Sequence, residues 1–565
     1  MTVGSVRLLA DGRRSLVRGD VAAALVAFEA ALAVEDSPEV RQLAGDLCYI
    51  DDDLQAARGH WEVAFDLYER SDQRRAAARV AAALADLHAA GLGNDAAGRG
   101  WVQRGRRLLA CEGRCVELGY LELALVACLH ADVEAVERSA DLALVLAVEF
   151  HDRDLEVRAL ADSGLALVSQ GREREGFDRL DEALAAMSGG QVRDTGVLGK
   201  SLCALLSACD RTGDLRRAEE ATGLVVALLT GPLGGRPRIL HTHCRSAYGS
   251  VLCGIGRWSE GEQVLAEALG PTSSTSVYHR VVTSCHLADL RILQGRLLDA
   301  ADLLRPWRDR VDAFCPRARL HLARGELALA ASVATAGLAA LRGDVLRAAP
   351  LWAVLVSVAL ARDDLPTAQL AAQELARLID HTPLLALHAE ALLAAGRVTA
   401  AAGQPSNAVE QFQQARAVLG EETRPMLRAG IGHALASALA DAGQLDLAIV
   451  EGRSALDTFA ALGAWPDADR TAALLRRLGA ATYRAAAGEA GSDLVAALTA
   501  RERQVLQLLC EGLTNSQIGQ RLFVTTKTAE HHVGRVLAKF GVRSRAEAVA
   551  LCARTATASS ATTLG

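Results

Sequence analysis

Six residues near the end of the chain share one face of a predicted helix and suit contact with a nucleic acid. They are Lys527, Glu530, His531, Gly534, Arg535 and Lys539. Cationic side chains attract phosphates, and carboxylate or imidazole groups can hydrogen-bond the edges of bases. Two basic residues such as Lys527 and Arg535, taken alone, are more often solvated surface charges than phosphate ligands. Whether this face binds a nucleic acid therefore depends on the helices that position it.

Helix-start signals surround this face. Three pairs match the pattern [S/T]-x-x-[E/Q], in which the hydroxyl and the acid or amide satisfy each other's backbone N–H groups. The pairs are Thr499 with Glu502, Thr514 with Gln517, and Ser544 with Glu547. A fourth start, Thr525, follows the turn Phe523-Val524. The segment therefore predicts four short helices in a compact helix-turn-helix unit.

Apolar residues recur with helical spacing in the first three of these helices. They are Val505, Leu506, Leu508 and Leu509, then Ile518 and Leu522, then Ala529, Val533, Val536, Leu537 and Phe540. Gly519 and Ala529 are small, as expected where two helices cross closely. Small helical bundles with basic faces also bind proteins, and this alternative remains open from the helices alone.

Charge separates this segment from the rest of the chain. From residue 494 onward there are nine basic and four acidic residues, a net charge of +5. The remaining residues carry 52 basic and 64 acidic side chains, a net charge of −12. A basic unit on an acidic body is typical of a phosphate-binding module.

Residues 498–554 resemble the LuxR/GerE-type helix-turn-helix domain of bacterial transcription regulators. The matching strings are LTARERQVL, EGLTNSQIGQRLF and KTAEHHVGRVLAKFGVRSRAEAVAL. The resemblance implies that the third helix enters the DNA major groove and that the helix near Ser544 pairs two copies. It implies base-facing positions at Glu530, His531 and Gly534. It implies phosphate contacts from Thr514, Asn515, Lys527, Thr528, His532, Arg535 and Lys539, and a dimer seam of Val542, Ala546, Val549 and Ala550.

Two of the base-facing positions are unusual for direct reading of a sequence. Gly534 has no side chain, and Glu530 is acidic. Glu530 can accept a hydrogen bond from a cytosine amine, or it can act only by repelling phosphates at wrong sites. Both alternatives stay open at this point.

A repeated signature runs through the body of the chain. A glycine is followed after five residues by a small residue, then by a larger one at +4 and another at +7, as in Gly19, Ala24, Phe28 and Ala31. The small-residue anchors fall at 24, 57, 97, 136, 176, 218, 261, 300, 330, 368, 408 and 448. Their spacings of 30 to 43 residues predict stacked helix pairs.

Some copies of the signature are incomplete. Asp52 and Asp363 replace the leading glycine in two of them, and two degenerate copies centre on Ala97 with Trp101 and on Val136 with Ala140. The glycine is expected to end the first helix of a pair in a left-handed cap. The pattern resembles a tetratricopeptide-like solenoid with a longer period.

These observations predict an all-α chain with about twelve helix pairs followed by a four-helix domain. The expected divisions are a repeat domain at 1–485, a linker at 486–496, the helix-turn-helix domain at 497–555 and a disordered tail at 556–565. Hydrophobic residues make up 51% of the chain but aromatic residues only 4%, which favours a core of Ala and Leu. No alternating strand pattern is convincing.

Composition also bounds the location of the protein. Met1-Thr2-Val3 leads directly into charged residues, so no secretory signal is expected. The longest apolar run, 351–361, is too short to span a bilayer. Twelve cysteines without secretion indicate reduced thiols, and a cytoplasmic protein without a membrane partner is expected.

Other constellations are weaker. Gly199-Lys200-Ser201 lacks the leading glycine and strand of a phosphate loop and indicates the start of a helix. Zinc ligands usually occur as closely spaced pairs. That spacing is missing from the histidines and cysteines of this region, so buried packing is favoured over a metal site for His241, His243, Cys244, Cys253, Cys285 and His286. Cys111 and Cys115 could form a redox pair, although isolated thiols are commoner. Trp258 and Trp352, with Tyr248 and Tyr278, could line a concave surface or simply pack, whereas packing is favoured for Trp307 because it fits the repeat signature.

The sequence therefore predicts a transcription regulator that binds an inverted-repeat DNA site as a homodimer and senses an unknown small molecule or protein on its solenoid. The combination resembles large LuxR-type regulators of the MalT kind, but no NTPase module and no cofactor are expected. RNA polymerase is a possible partner. The alternative is a protein-interaction scaffold whose C-terminal bundle docks on the transcription machinery without reading DNA. No catalytic set survives, so an enzyme is not expected.

Overall fold

The computed structural model describes residues 3–17, 20–129, 131–230, 238–270, 273–420, 424–480, 498–511, 513–522, 524–540 and 548. Within these ranges the chain forms helices and their connections and no strand. An isolated bridge joins Asp132 to Arg342. The all-α prediction is confirmed.

The repeat body contains 25 α-helices within the described ranges. In chain order they are α1 (Val3–Val17), α2 (Val21–Val34), α3 (Pro38–Ile50), α4 (Leu54–Arg70), α5 (Arg74–Asp86), α6 (Asp95–Leu108), α7 (Val116–Val126), α8 (Val133–Phe150), α9 (Arg153–Ser169), α10 (Glu173–Ser188), α11 (Thr195–Thr212), α12 (Leu215–Thr230), α13 (Arg238–Gly254), α14 (Trp258–Ala268), α15 (Val277–Leu293), α16 (Leu297–Leu304), α17 (Phe314–Ala323), α18 (Leu327–Ala340), α19 (Val345–Leu360), α20 (Leu365–Ile379), α21 (Leu385–Ala401), α22 (Pro405–Leu419), α23 (Pro425–Asp441), α24 (Leu445–Leu462) and α25 (Trp465–Arg477).

The C-terminal domain adds α26 (Ala500–Cys510), α27 (Asn515–Arg521) and α28 (Thr526–Phe540). A π-helical segment, Leu87–Gly91, extends α5, and the 3-10 turns Arg305–Trp307 and Val311–Ala313 follow α16. The predicted linker at 486–496 and tail at 556–565 lie outside the described residues.

Consecutive helices pack as twelve pairs in the described body, from α1 with α2 to α23 with α24, and α25 packs on the last pair. Every predicted small-residue anchor lies on the second helix of a pair, so the predicted number of pairs is confirmed. In the second pair, for example, Ala57, Trp61 and Ala64 are all buried. Because each pair buries this stripe against its neighbours, the pairs stabilise one another in sequence.

Left-handed residues close the first helix of most pairs, as the signature predicts. Gly213 ends α11 with a φ of 75°, and its N–H donates to the carbonyl of Cys209 at 2.7 Å. Asp52 and Asp363, the substitutes for glycine, also have positive φ, at 66° and 57°. Asp tolerates this conformation better than most residues with a side chain, so the incomplete copies keep the same cap.

One predicted register is wrong by a single residue. In α6 the buried stripe consists of Gly98, Val102 and Gly105, whereas Ala97 and Trp101 are partly exposed. A Cβ atom on Gly98 would lie 2.9 Å from the carbonyl oxygen of Ala85 on α5. This helix therefore crosses its neighbour through glycines, which an alanine-based pattern does not detect.

The solenoid winds into a superhelix whose successive turns touch through their loops. Each contact joins a loop within one helix pair to a loop between two later pairs. Counted along the chain from the earlier pair, these are the fifth and the sixth pairs that follow it. These contacts join Asp52 to Thr275 at 2.7 Å, Gly93 to Arg310 at 3.2 Å, Ala131 to Arg342 at 2.8 Å and Thr212 to Arg424 at 2.6 Å. One superhelical turn thus spans more than 200 residues.

Polar groups dominate these loop contacts. Asp52 is buried, and its two carboxylate oxygens accept from Ser274 and from the backbone N–H of Thr275. A buried carboxylate is costly unless it is hydrogen-bonded, so these bonds fix which loops meet. Among the described helices, none combines the length and apolar character needed to cross a membrane.

We expect Gly176→Ala to destabilise the body by about 1–3 kcal/mol, since a Cβ there cannot be accommodated without backbone movement. The new atom would lie 2.6 Å from the carbonyl oxygen of Gly164 on α9. Thermal unfolding followed by circular dichroism should show a lower midpoint.

Gly59→Ala on α4 is the matched control, because no atom lies within 4 Å of its added Cβ. There the better helix propensity of Ala should leave the midpoint unchanged or raise it. Equal midpoints for the two variants would contradict the assigned crossing of α9 and α10.

Candidate nucleic-acid interface

The C-terminal domain is organised by a small apolar core. Val505, Ile518, Ala529 and Val536 are fully buried, and they come from all three described helices of the domain. The remaining predicted apolar positions with described side chains, Leu506, Leu508, Leu509, Leu522, Val533 and Leu537, pack in the same cluster. The predicted stripes are confirmed, and they fix how α26, α27 and α28 cross.

Two of the predicted capping boxes form in full. Thr499 N–H donates to Glu502 Oε2 at 2.9 Å, and Glu502 N–H donates to Thr499 Oγ1 at 3.3 Å. Thr514 and Gln517 make the same reciprocal pair, with distances of 2.8 and 3.3 Å. The third box, at 544 and 547, lies outside the described residues.

The turn that precedes α28 also follows the prediction. Thr525 caps this helix, because its Oγ1 accepts from the N–H of Thr528 at 3.1 Å. Gly519, however, meets the backbone of the turn rather than a crossing helix, since an added Cβ would lie 2.9 Å from the carbonyl oxygen of Val524. Gly519 is therefore needed to close the turn.

α28 exposes the polar face that the sequence predicts. The base-facing candidates Glu530, His531 and Gly534 are all exposed, as are the neighbouring Lys527 and Arg535. The opposite side of the helix is buried in the domain core. The structure therefore brings these five residues together on one accessible surface of the domain.

The other phosphate-contact candidates have partners within the domain. Thr514 and Thr528 use their hydroxyls in the caps. Lys539 Nζ donates to the buried Glu502 carboxylate at 2.6 Å. Asn515 is half-buried at the start of α27. Their contacts with phosphate stay a prediction, and Lys539 also fastens α28 to α26.

Electrostatics distinguishes the neighbouring histidines of α28. Burial, followed by the charges of Arg501, His531 and Arg535, lowers the pKa of His532. Its Nδ1 atom is buried, and none of the described residues hydrogen-bonds to it. The lowered pKa favours the neutral form of His532. His531 beside it is exposed. The dimer-seam candidates Val542, Ala546, Val549 and Ala550 lie outside the described residues.

The domain contacts the repeat body through α26, and within the described part of the chain the exposed face of α28 stays uncovered. Ala500 N–H donates to Asp469 Oδ2 at 3.0 Å, and the Arg503 guanidinium lies 4.0 Å from the ring centroid of Trp465. Gln504 Nε2 donates to the carbonyl of Gly295 at 3.0 Å. We call this set of contacts the docking contact.

A cavity of about 210 Å³ lies inside the first superhelical turn of the body. Its lining is mainly apolar but includes two charge pairs with buried carboxylates, Lys200 with Asp86 at 2.5 Å and Arg158 with Asp162 at 2.7 Å. Lys200 belongs to α11, which begins at Thr195 after its cap Asp194, so Gly199-Lys200-Ser201 is helical but lies in the second turn and not at the helix start that the sequence indicated. The lysine pairs with a carboxylate here.

The predicted aromatic surface is only partly present. Tyr278 lines the cavity, but Trp258, Trp307 and Trp352 do not. Trp258 is buried in the core, and its Nε1 donates to the carbonyl of Cys253 at 2.9 Å. The packing interpretation therefore holds for Trp258. Cys111 is exposed and Cys115 buried, both as free thiols, so they form no disulfide.

The histidine and cysteine set considered from the sequence is dispersed. His286 Nε2 pairs with Asp210 at 3.1 Å, whereas His243 lies beside Cys203 and His279. Sequence reasoning missed Cys203 and His279, although 203, 243 and 279 are separated by about one repeat period each. Residues one period apart on the first helices of pairs become neighbours, and that spacing was the available signal.

Comparisons with known proteins agree with the geometry of the domain. Residues 496–552 match the sequence model for bacterial regulatory proteins of the luxR family. The chain is 38% identical over 117 residues to the DNA-binding transcriptional activator DevR/DosR of Mycobacterium tuberculosis (strain ATCC 25618 / H37Rv), covering 21% of this chain and 43% of that protein. It therefore spans less than half of the length of that relative.

Two further matches concern the C-terminal domain and the body. The chain is 40% identical over 52 residues to the spore germination protein GerE of Bacillus subtilis (strain 168), covering 9% of this chain and 70% of GerE. The body is similar to a chain in the crystal structure of the APC/C hetero-tetramer Cut9-Hcn1. That similarity has a TM-score of 0.47 and 14% identity, and it covers 85% of this chain and 96% of that one.

We expect the domain to lose stability in acid through Glu502. Burial raises the pKa of this carboxyl, but hydrogen bonds from Lys539 and Thr499 outweigh burial and leave the pKa below its ordinary value of 4.5. A depressed pKa stabilises the fold above pH 4.5, and this contribution is lost as the pH falls through the folded-state pKa.

Urea titrations between about pH 3 and 6 measure the free energy of unfolding of the domain at each pH. The folded fraction is read from hydrogen exchange of α26, with every sample labelled in a short pulse at the same pH. Glu502→Gln should flatten the acid dependence of the unfolding free energy, whereas Glu511→Gln at the exposed end of α26 should leave it unchanged. An equally steep dependence in Glu502→Gln would show that other carboxyls cause the loss.

Proposed function

Because the chain belongs, through residues 496–552, to the LuxR family of bacterial regulatory proteins, we propose that it is a sequence-specific DNA-binding transcriptional regulator. The observation that carries the proposal is the exposed face of α28, where Lys527, His531 and Arg535 lie together. The net charge of +5 from residue 494 onward favours approach to phosphates.

In this proposal α28 lies in the major groove. Glu530, His531 and Gly534 face the base edges, and His531, being exposed, is free to donate or accept a hydrogen bond there. Phosphates are bound by the remaining polar candidates, which are Thr514, Asn515, Lys527, Thr528, His532, Arg535 and Lys539. Because its pKa is lowered, His532 is expected to contact phosphate through a hydrogen bond more than through a charge.

Two copies then bind an inverted repeat. The seam of Val542, Ala546, Val549 and Ala550 pairs the domains, and half-sites about ten base pairs apart place both recognition helices on one side of the duplex. The protein acts in the cytoplasm, with RNA polymerase as a possible partner at the promoter.

The repeat body serves as the sensor in this proposal. The cavity supports a small-molecule effector, since apolar walls with a few fixed polar groups are typical of ligand sites. The docking contact offers the route to the DNA-binding domain, because it joins α26 directly to α25 and to the loop at Gly295. An effector that changes the curvature of the body would strengthen or release this contact.

A scaffold that docks on the transcription machinery without reading DNA is the second candidate. The exposed carboxylate of Glu530 in the centre of the α28 face favours it, because a carboxylate repels phosphates. The DNA-reading proposal predicts that the chain prefers one DNA sequence, whereas the scaffold proposal predicts no preference. Binding to duplexes of different sequence separates the two.

Binding of random duplexes and of an enriched dyad sequence by the full chain tests the proposal. Lys527→Ala should weaken binding to all sequences alike and reduce the slope of log affinity against log salt by about 1 for each copy bound. His531→Ala should change preference at one base position by about 1–3 kcal/mol. Fluorescence anisotropy at several salt concentrations measures both effects.

Arg99→Ala, which removes an exposed charge from α6 in the body, is the control and should leave affinity and slope unchanged. If the full chain enriches no sequence and its affinity shows no salt dependence, the scaffold proposal replaces the DNA-reading one.

We also expect Asp469→Ala to loosen the docking contact, since this carboxylate accepts from Ala500 N–H and pairs with Arg503. Hydrogen exchange of α26 in the full chain should become faster. Asp467→Ala, on the same helix but paired with Arg470, is the control. Equal exchange rates in the two variants would mean that Asp469 does not hold the domain.

A further inference from the structure

Three metal-binding side chains meet inside the repeat body, away from the DNA-binding domain. Cys203 lies on α11, His243 on α13 and His279 on α15, which are the first helices of three successive pairs. One potential ligand atom from each residue lies within 4.8 Å of the others. The superhelix therefore brings together residues that are 36 and 40 positions apart.

The two imidazoles of this cluster are buried and incompletely hydrogen-bonded. His243 is 2% exposed and His279 is 6% exposed. The Nδ1 atom of each is buried and has no hydrogen-bond partner among the residues that the structure describes. Buried polar atoms are nearly always paired, so two unpaired nitrogens in one cluster require an explanation.

The hydrogen bonding of His243 determines which of its nitrogens can bind a ligand. Its Nε2 lies 3.0 Å from the carbonyl oxygen of Cys203, which can only accept, so Nε2 carries the proton. In the neutral ring, Nδ1 then has a lone pair and no donor to accept from. A histidine that ligates a metal commonly has this arrangement, with its other ring N–H given to a carbonyl.

We propose that Cys203, His243 and His279 bind one divalent transition-metal ion of the zinc class. One sulfur and two imidazole nitrogens favour Zn²⁺ or Co²⁺ over Mg²⁺ or Ca²⁺, which prefer oxygen ligands. Binding requires loss of the Cys203 thiol proton to solvent, and the thiolate and two neutral imidazoles leave the site with a net charge of +1.

The geometry needs only a small adjustment. Zinc bonds of about 2.0–2.1 Å to nitrogen and about 2.3 Å to sulfur place tetrahedral ligand atoms roughly 3.3–3.7 Å apart. The present separations of up to 4.8 Å are slightly longer. Rotation of the side chains and a slight approach of the three helices would close the difference.

A fourth position is available on the cavity side. Cys203 and His279 also line the cavity of the first superhelical turn. Three protein ligands with an open position are typical of metal sites that bind a water or a further molecule. The metal would thus join three successive pairs and present one coordination position to whatever enters the cavity.

Cobalt binding by the full chain, without an affinity tag and after chelation, tests the site. Titration with CoCl₂ should produce the visible bands of tetrahedral Co²⁺ and a thiolate-to-cobalt charge-transfer band, both saturating at one equivalent. Addition of ZnCl₂ should remove them. Cys203→Ser should abolish the charge-transfer band.

Cys209→Ser is the matched control, because Cys209 is a buried thiol on the same helix but outside the cluster. It should keep the wild-type spectrum. His279→Gln should retain the thiolate and lower the affinity for Co²⁺ at least tenfold. Removal of a group that only orients a metal ligand already lowers metal affinity by about tenfold or more. Circular dichroism of the metal-free variants checks that each one folds.

Thermal unfolding supplies an independent readout. ZnCl₂ should raise the midpoint of the wild type and of Cys209→Ser, because a ligand that binds only the folded state stabilises it. It should leave the midpoint of His279→Gln nearly unchanged. No cobalt spectrum in the wild type, or a charge-transfer band that persists in Cys203→Ser, would overturn the proposal.

Discussion

The contact between loops one superhelical turn apart is the constraint on which the rest of the molecule depends. Each pair of helices fixes only its relation to the next pair, through small residues and left-handed caps. The polar bonds of Asp52 with Ser274 and Thr275, and of Arg424 with Thr212, add a long-range condition on curvature and pitch. Within the superhelix so formed, Lys200 and Asp86, which are 114 residues apart, meet in the cavity wall.

Much of the fold could be read from the sequence, because its determinants are local. Capping boxes, apolar stripes and the signature of small residues each act within one or two helices, and the register of the pairs followed from them. The register error at Ala97 and Trp101 arose where glycines replace alanines in the crossing. The exposed face of α28 was likewise predictable, since helical periodicity alone separates Ala529 and Val533 from Glu530 and His531.

The cavity and the docking contact were not predictable, because both depend on how far the superhelix rotates at each pair. Sequence spacing places Cys203, His243 and His279 at equivalent positions of successive repeats, but it does not show that these positions face inward. The pairing of Lys539 with Glu502 was missed for a similar reason, since helix ends that are 37 residues apart meet only after α26 and α28 have packed.

The docking contact has a consequence for the end of the array. A stack of repeats has no intrinsic stopping point, and its final unit offers an unfinished edge to any further unit, including one from another molecule. The loop at Gly295 belongs to the same series as the loops that contact a later superhelical turn. Gln504 donates to the carbonyl of Gly295, at the position where a further repeat would make that contact. The terminal domain therefore covers part of the last edge of the array, and its release would expose that part to solvent.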